Sequence, residues 1–309
     1  MSPTPLAPSA PPSSPPAAPL AIASTRTAIP VFDPGDYSVE RAIADKRGRT
    51  VSMCIPCRNE EATIGAVVQR FTPILGTLLD ELIVIDDGST DGTARCATRA
   101  GATVIPIADI HARYGYGRGK GNVLWASLAV TTGDFLVWCD GDVTSATGEW
   151  VARLLAPMLS DSDVALVKAC YDRPTDNGGG GRTTELVARP LLSLYSPALA
   201  TLHQPLAGET AGRRSALEQV PFVEGWGVEI ALLHDIAARF GVEAIAQVDL
   251  GTRVHRHQAL ATLAVQAAEV MATLLARVGK LDDSAAVLQR IDGAVALNLR
   301  ERPPFASLA

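Results

Sequence analysis

Basic residues are in short supply in this 309-residue chain: 27 lysines and arginines against 33 aspartates and glutamates leave a net charge of -6. That balance excludes a general nucleic-acid binder, which needs a basic surface to displace phosphate counterions. Cysteines are few and odd in number at five, so no disulfide framework is implied and free thiols are expected. Cys54-Ile55-Pro56-Cys57 has the spacing of a redox or half-zinc site, but no second pair completes it and Asn59-Glu60-Glu61 follows. An uninterrupted apolar run of membrane length is also missing. The nearest, Ala259 to Val278, is broken by Gln266, Glu269 and Arg277. Its Leu260, Leu263, Ala267, Val270, Met271, Leu274 and Val278 recur at helical spacing, which predicts an amphipathic helix packed on the core or on a second subunit. Neither Gly-x-Gly-x-x-Gly after the first strand nor Gly-x-x-x-x-Gly-Lys-Ser/Thr occurs, which argues against a dehydrogenase and a P-loop enzyme.

What the chain does hold is core: 47% of residues are hydrophobic and 19% charged. Residues 1–28, rich in proline, alanine and serine, are expected to be a disordered tail. No lysine or arginine precedes Arg26 and proline breaks every apolar run there, so neither a secretory nor a transit signal fits and a cytoplasmic protein is expected. From Thr50 the pattern alternates. Strands are predicted at Val51 to Pro56, Glu81 to Asp87, Ala102 to Ile107 and Asp134 to Asp140, with helices at Glu60 to Phe71 and Lys120 to Ala129. Short strands alternating with helices imply an α/β fold with a mostly parallel sheet and right-handed crossovers.

The strand ends are polar. Strand one exits into Arg58-Asn59-Glu60-Glu61, strand two into Asp86-Asp87-Gly88-Ser89-Thr90-Asp91, and the buried run Phe135-Leu136-Val137-Trp138-Cys139 into Asp140-Gly141-Asp142. Helix capping by Asn59 and by Ser89 or Thr90 explains part of this. Convergence of three clusters on one rim predicts a ligand site, where carboxylates meet a diphosphate and its divalent cation. Gly115 to Gly121, with Arg118 and Lys120, stands before a helix and suits phosphate. Further on, Asn177 to Gly181 is too glycine-rich for a strand, and Arg182, Thr183 and Thr184 precede an apolar helix expected near Leu186. Free amides, hydroxyls and a guanidinium there suit a phosphomonoester. His255 and His257 follow a strand predicted at Ile245 to Val254, while His111, His203 and His234 have no partner spacing.

Together Pro56-Cys57-Arg58-Asn59-Glu60-Glu61, Asp86 to Asp91, Gly119-Lys120-Gly121 and Asp140-Gly141-Asp142 resemble the nucleotide-sugar half of a GT-A glycosyltransferase. The later segments Val167-Lys168, Gly179 to Leu192, Gln204 to Glu209, Trp226-Gly227-Val228-Glu229-Ile230 and His255-Arg256 resemble, in order, the actinobacterial glucosyl-3-phosphoglycerate synthases. The resemblance covers about Gly48 to Gln258. It implies a GT-A fold of Rossmann-like sheet and helices, with a nucleotide-sugar-binding half at 29–143, an acceptor-binding half at 144–258, and a helical region at 259–309 with a dimer contact. It also implies a homodimer that transfers glucose from UDP-glucose to the 2-hydroxyl of 3-phosphoglycerate with retention.

Carried over residue by residue, the resemblance implies uridine contacts from Pro56, Cys57, Asn59, Glu60 and Asp87, and diphosphate or ribose contacts from Lys120, Asp140 and Gly141. Arg253 would stand near the diphosphate. Leu206, Trp226 and Glu229 would line the glucose site, and Gly181, Arg182 and Thr184 the acceptor site. Asp142, Glu229 and Thr184 are the expected catalytic set. Asp142 and His255 would hold the cation, Mg2+ with Mn2+ or Co2+ as substitutes. The chain departs from the family pattern at Asp87 and Gly141, where serine is frequent, and at Trp226, where tyrosine is. These departures bear on glucose against mannose. The alternatives are therefore a mannosyl-3-phosphoglycerate synthase using GDP-mannose, or a non-catalytic nucleotide-sugar-binding protein. A processive polysaccharide synthase is excluded by the lack of Gln-x-x-Arg-Trp and of membrane helices.

Overall fold

The computed structural model describes residue 22 and residues 27–33, 35, 37–172, 181–253, 260–282, 286–291 and 293–308. Most of the proline-rich start, and the His255 and His257 positions, lie outside the described residues.

Val51–Cys57 (β2) is apolar apart from Ser52 because the sheet is covered on both faces. Met53 and Ile55 enter one core layer and Cys54 the opposite one, as strand alternation requires. The sheet has eight strands in the order β1-β9-β6-β7-β5-β2-β3-β4. Its members are Val31–Phe32 (β1), β2, Glu81–Asp86 (β3), Thr103–Pro106 (β4), Phe135–Trp138 (β5), Leu166–Asp172 (β6), Thr210–Arg213 (β7) and Ile245–Thr252 (β9). All neighbours run parallel except β7, which is antiparallel to both β5 and β6 and so sutures the two predicted halves into one sheet. The predicted strands are all present: β2 runs one residue longer than expected, and the others are shorter by one to three residues where their ends turn into loops.

One face of the sheet is covered by Val39–Lys46 (α1), Ile64–Phe71 (α2), Thr93–Ala100 (α3) and Gly148–Ser160 (α6). The other is covered by Ile107–Tyr114 (α4), Lys120–Val130 (α5) and Val228–Phe240 (α9). Arg189–Tyr195 (α7) and Arg214–Leu217 (α8) are short. Leu260–Arg277 (α10) lies against α9, where Arg277 forks onto Asp235 at 2.8 Å.

Two expectations change here. The predicted apolar stripe of α10 is partly outward: Leu260 is 72% exposed and Met271 41%, whereas Gln266, Glu269 and Thr273 are buried. Val270 and Leu274 still pack on the core as expected, but the helix also meets a polar loop, and Glu269 turns inward to main-chain N–H groups there. The region beyond α10 is also not helical throughout. Val287–Arg290 (β10) and Gly293–Ala296 (β11) form a hairpin, and Glu301–Arg302 (β12) pairs with Phe222–Val223 (β8). Trp125 Nε1 then donates to the Pro303 carbonyl at 2.8 Å, tying the C-terminal segment to α5. No helix among the described residues is long and apolar enough to cross a membrane.

Candidate active site

The ends of β2, β3, β5 and β9 and the first turns of α5 and α9 open into one cavity of about 510 Å³. Asp140 sits two residues beyond β5, where the chain leaves the core and a carboxylate reaches solvent. Lys120, the first residue of α5, places its Nζ 2.8 Å from Asp140 Oδ1 and 2.7 Å from Glu229 Oε1. Arg253, just past β9, reaches Asp140 Oδ2 and Glu209 Oε1, each at 3.1 Å. The Tyr171 hydroxyl donates to Glu209 at 2.8 Å. Signs therefore alternate along a chain of side chains, Glu229-Lys120-Asp140-Arg253-Glu209, so that each buried charge meets its opposite.

This arrangement separates the two acids of Asp140-Gly141-Asp142. Burial opposes ionisation of Asp140, but Lys120 and then Arg253 outweigh it and hold the carboxyl at about 2. Asp142 shifts the other way: burial, then the negative charge of Asp140, raise it above the usual carboxylate range. Asp140 is thus committed to cations of the protein, and Asp142 is the carboxylate short of positive charge. Among the described residues no three histidine, cysteine, aspartate or glutamate side chains gather at one point. A hard divalent ion at Asp142 would take most of its oxygens from a ligand. The second expected ligand, His255, lies outside the described residues.

On one wall stand Pro56, Cys57, Arg58, Glu60 and Asp87, with Gly141 against them. A Cβ at 141 would fall 2.6 Å from Cys57 Sγ, so the strand ends of β2 and β5 approach too closely for a side chain there. Burial pushes the Cys57 thiol well above its usual pKa, the opposite of what a redox or zinc-binding thiolate needs. Asn59 is not among the lining residues. It adopts φ 57°, its N–H donates to Ser89 Oγ and its Oδ1 accepts from Thr90 N, each at 2.9 Å. Asn59 and Ser89 therefore lock two loops together instead of capping helices, and Gly92 occupies the N-cap of α3. The reason is geometric: the loops lie side by side, and the Ser89 side chain finds the Asn59 main chain, and the Asn59 side chain that of Thr90, before either finds its own helix.

At the far end Gly181, Arg182, Thr183 and Thr184 line the cavity. Gly181 has φ +91°, a left-handed turn from which helix starts at Arg182, four residues ahead of the expected start. The helix widens into a π turn over Thr184–Ala188 before Pro190, whose ring supplies no N–H. Leu206, Gly208 and Trp226 complete this side. Every other expected site residue that is described lines the same cavity.

Sequence reasoning assigned no role to five further residues. Leu263, Gln266 and Val270 of α10 line the cavity. Glu209 holds Arg253 from behind. Lys168, fully buried, donates to the Ala207 carbonyl and to Thr210 Oγ1, and burial pulls its pKa down to about 8. The one available signal was a lysine in the middle of an apolar strand, which demands buried acceptors.

Residues 52–221 match the model of Glycosyl transferase family 2. The chain is 46% identical over 285 residues to the glucosyl-3-phosphoglycerate synthase of Mycolicibacterium smegmatis, covering 88% of this chain and 94% of that one. It is 45% identical over 252 residues to the enzyme of the same name from Petrotoga mobilis, covering 78% of each. Among solved structures it is similar to the Mycobacterium tuberculosis glucosyl-3-phosphoglycerate synthase in complex with Mn2+, UDP-glucose and phosphoglyceric acid. The TM-score is 0.84 at 40% identity, over 90% of this chain and 98% of that one. With the strand-end acids, the eight-stranded sheet and these likenesses in agreement, the chain belongs to glycosyl transferase family 2, and within it to the glucosyl-3-phosphoglycerate synthases.

Proposed function

We propose that the chain is a retaining glucosyltransferase that moves glucose from UDP-glucose to the 2-hydroxyl of 3-phosphoglycerate, releasing glucosyl-3-phosphoglycerate and UDP, with a divalent cation. The observation that carries this is the two-ended cavity. One end pairs a fixed carboxylate, Asp140, with a spare one, Asp142. The other presents a guanidinium and hydroxyls on a glycine turn. The first suits a diphosphate with its cation, the second a phosphomonoester. The names of the relatives support it, as do complexes of the Mycobacterium tuberculosis enzyme with Mn2+ and UDP-glucose, and with glucosyl-3-phosphoglycerate.

In this scheme Pro56, Cys57, Glu60 and Asp87 border the uridine, and Asn59 keeps their wall in place. Lys120 and Arg253, held charged by their acidic partners, meet the diphosphate. Asp142, with His255, would hold the cation. When bound, the cation, Mg2+ with Mn2+ or Co2+ as substitutes, supplies positive charge against the departing diphosphate. Leu206, Trp226 and Glu229 border the glucose. Because Glu229 is already paired with Lys120 at 2.7 Å, it offers a hydrogen-bonding oxygen to sugar hydroxyls rather than a nucleophile. Arg182 and Thr184 anchor the acceptor phosphate, so that the 2-hydroxyl and the anomeric carbon are held in register. The bond from the anomeric carbon to the β-phosphate oxygen breaks with its electron pair on that oxygen. The acceptor oxygen bonds on the same face and its proton passes to phosphate.

The test is turnover with 3-phosphoglycerate and a panel of UDP-glucose and GDP-mannose, with and without EDTA, and NMR of the anomeric proton in the product. Transfer from GDP-mannose alone, or no product from either donor, would overturn it. We also place the protein in the cytoplasm, where the free thiols at all five cysteines persist, and as a homodimer, in keeping with exposed Leu186, Leu194 and Leu260 on neighbouring segments. Light scattering reads the second point directly.

A further inference from the structure

The C-terminal helix holds a buried acid whose partners are main-chain groups. Glu269 of α10 is 5% exposed and does not line the cavity. Its Oε2 accepts from Trp226 N at 2.8 Å and its Oε1 from Asn298 N at 3.0 Å. Burying a carboxylate is costly unless donors meet it, and here the donors come from two loops far apart in sequence. The fit is close: a Cβ at Gly225 would stand 2.4 Å from Glu269 Oε2 and 2.7 Å from the Asn298 carbonyl. The loop so clamped, Glu224-Gly225-Trp226-Gly227, sets Trp226 at the cavity wall and begins α9 one residue before Glu229.

We infer that Glu269 is a positioning residue for the sugar end of the donor site. Its charge pins the Trp226 main chain, and through it the indole, without itself touching substrate. The inference rests on UDP-glucose being the donor, as proposed above. Gln266 and Val270, on the same face of α10, line the wall that the clamp holds in place, so the helix both closes the site and sets one of its side chains.

Glu269→Gln keeps the size but leaves one acceptor oxygen and turns an amide N–H2 toward a main-chain donor. Trp226 is 38% exposed while Trp125, Trp138 and Trp150 are 7% exposed or less, so acrylamide quenching of tryptophan fluorescence reports Trp226. The variant is expected to quench more strongly than wild type. Its KM for UDP-glucose should rise about tenfold, the scale of one lost charge-assisted hydrogen bond. Its Kd for UDP, which has no sugar, and its KM for 3-phosphoglycerate should stay within roughly twofold of wild type. In a Trp226→Ala background the same change should add less than about twofold. Gly225→Ala, which leaves the carboxylate in place and pushes the loop off it, should reproduce the pattern if Glu269→Gln folds poorly. Unchanged quenching, equal losses for UDP and UDP-glucose, or additive losses in the double variant would each overturn the inference. Turnover by the wild type judges the donor assignment separately, and the quenching result needs no turnover.

Discussion

The two ends of the cavity are built on opposite plans. At the strand end, position is fixed by charge: Glu229, Lys120, Asp140, Arg253 and Glu209 alternate in sign over contacts of 2.7–3.1 Å. At the far end, position is fixed by backbone: a left-handed glycine and a widened helical turn carry Arg182 and Thr184. The lesson is that an ionic frame resists displacement and settles the charge of its own members, while Asp142 beside it stays outside the alternation. A backbone frame sets its side chains through the turn that carries them, without an ionic ladder.

The sharpest way to break this contrast is to remove each acid of the strand end in turn. Asp142→Ala should abolish turnover and leave the melting temperature nearly unchanged, because that carboxylate makes none of the ion pairs of the frame. Asp140→Ala should lose both, since Lys120 then keeps only Glu229 and Arg253 only Glu209. Breaking a fully buried pair costs about 3–5 kcal/mol, and the exposed quarter of the Asp140 side chain puts this case at the lower end. Urea unfolding beside product assays separates the two, and an active Asp142→Ala enzyme would remove that residue from the cation site.

At the acceptor end, Arg182→Ala should raise the KM for 3-phosphoglycerate about ten- to a hundredfold, or roughly 1.5–3 kcal/mol, with little change for UDP-glucose. Equal weakening of both substrates would make the glycine turn a part of the donor site. The pH dependence sharpens the comparison further. Asp140, held at about 2, contributes stability above the ordinary aspartate range that is lost only as pH falls toward 2. Asp142, raised, has the opposite sign: its proton is bound more tightly in the folded protein, so stability falls as pH rises through its range unless a cation replaces the proton. Mn2+ should therefore raise the melting temperature at neutral pH, less so in mild acid, and not at all in Asp142→Ala. The smallest effect is expected at Asn59→Ala, which unlocks the loops and leaves the ionic frame intact. About 1 kcal/mol of stability and a few-fold rise in the KM for UDP-glucose should be seen by calorimetry and kinetics.

Much of the strand end was legible because apolar runs that stop at a carboxylate announce both a buried strand and its exit. Asp140, Asp142, Lys120 and Arg253 meet in space as their motifs suggested. The Asn59 and Ser89 lock was not legible, since both residues satisfy the same local capping pattern and only the packing of two loops decides between partners. The contribution of α10 was hidden for a related reason. Periodicity locates an apolar stripe, but Glu269 and Gln266 face inward because the surface they meet is main chain, and a loop's free N–H groups leave no trace in the sequence. Glu209 and Lys168 belong with them as charges whose partners are hundreds of atoms away along the chain.

The antiparallel strand β7 has a consequence for the order in which the molecule is made. β5 ends at Trp138, yet the neighbour that closes its open edge begins only at Thr210, and β6 waits for the same strand. During synthesis the first parallel strands can pair as they emerge, while Phe135–Trp138, aromatic at both ends, stands with one edge bare for some seventy residues. Long-range pairing of this kind slows folding and leaves an adhesive edge in the meantime. The strand that joins β5 to β6 thus also closes, late in synthesis, an edge open to pairing with another chain.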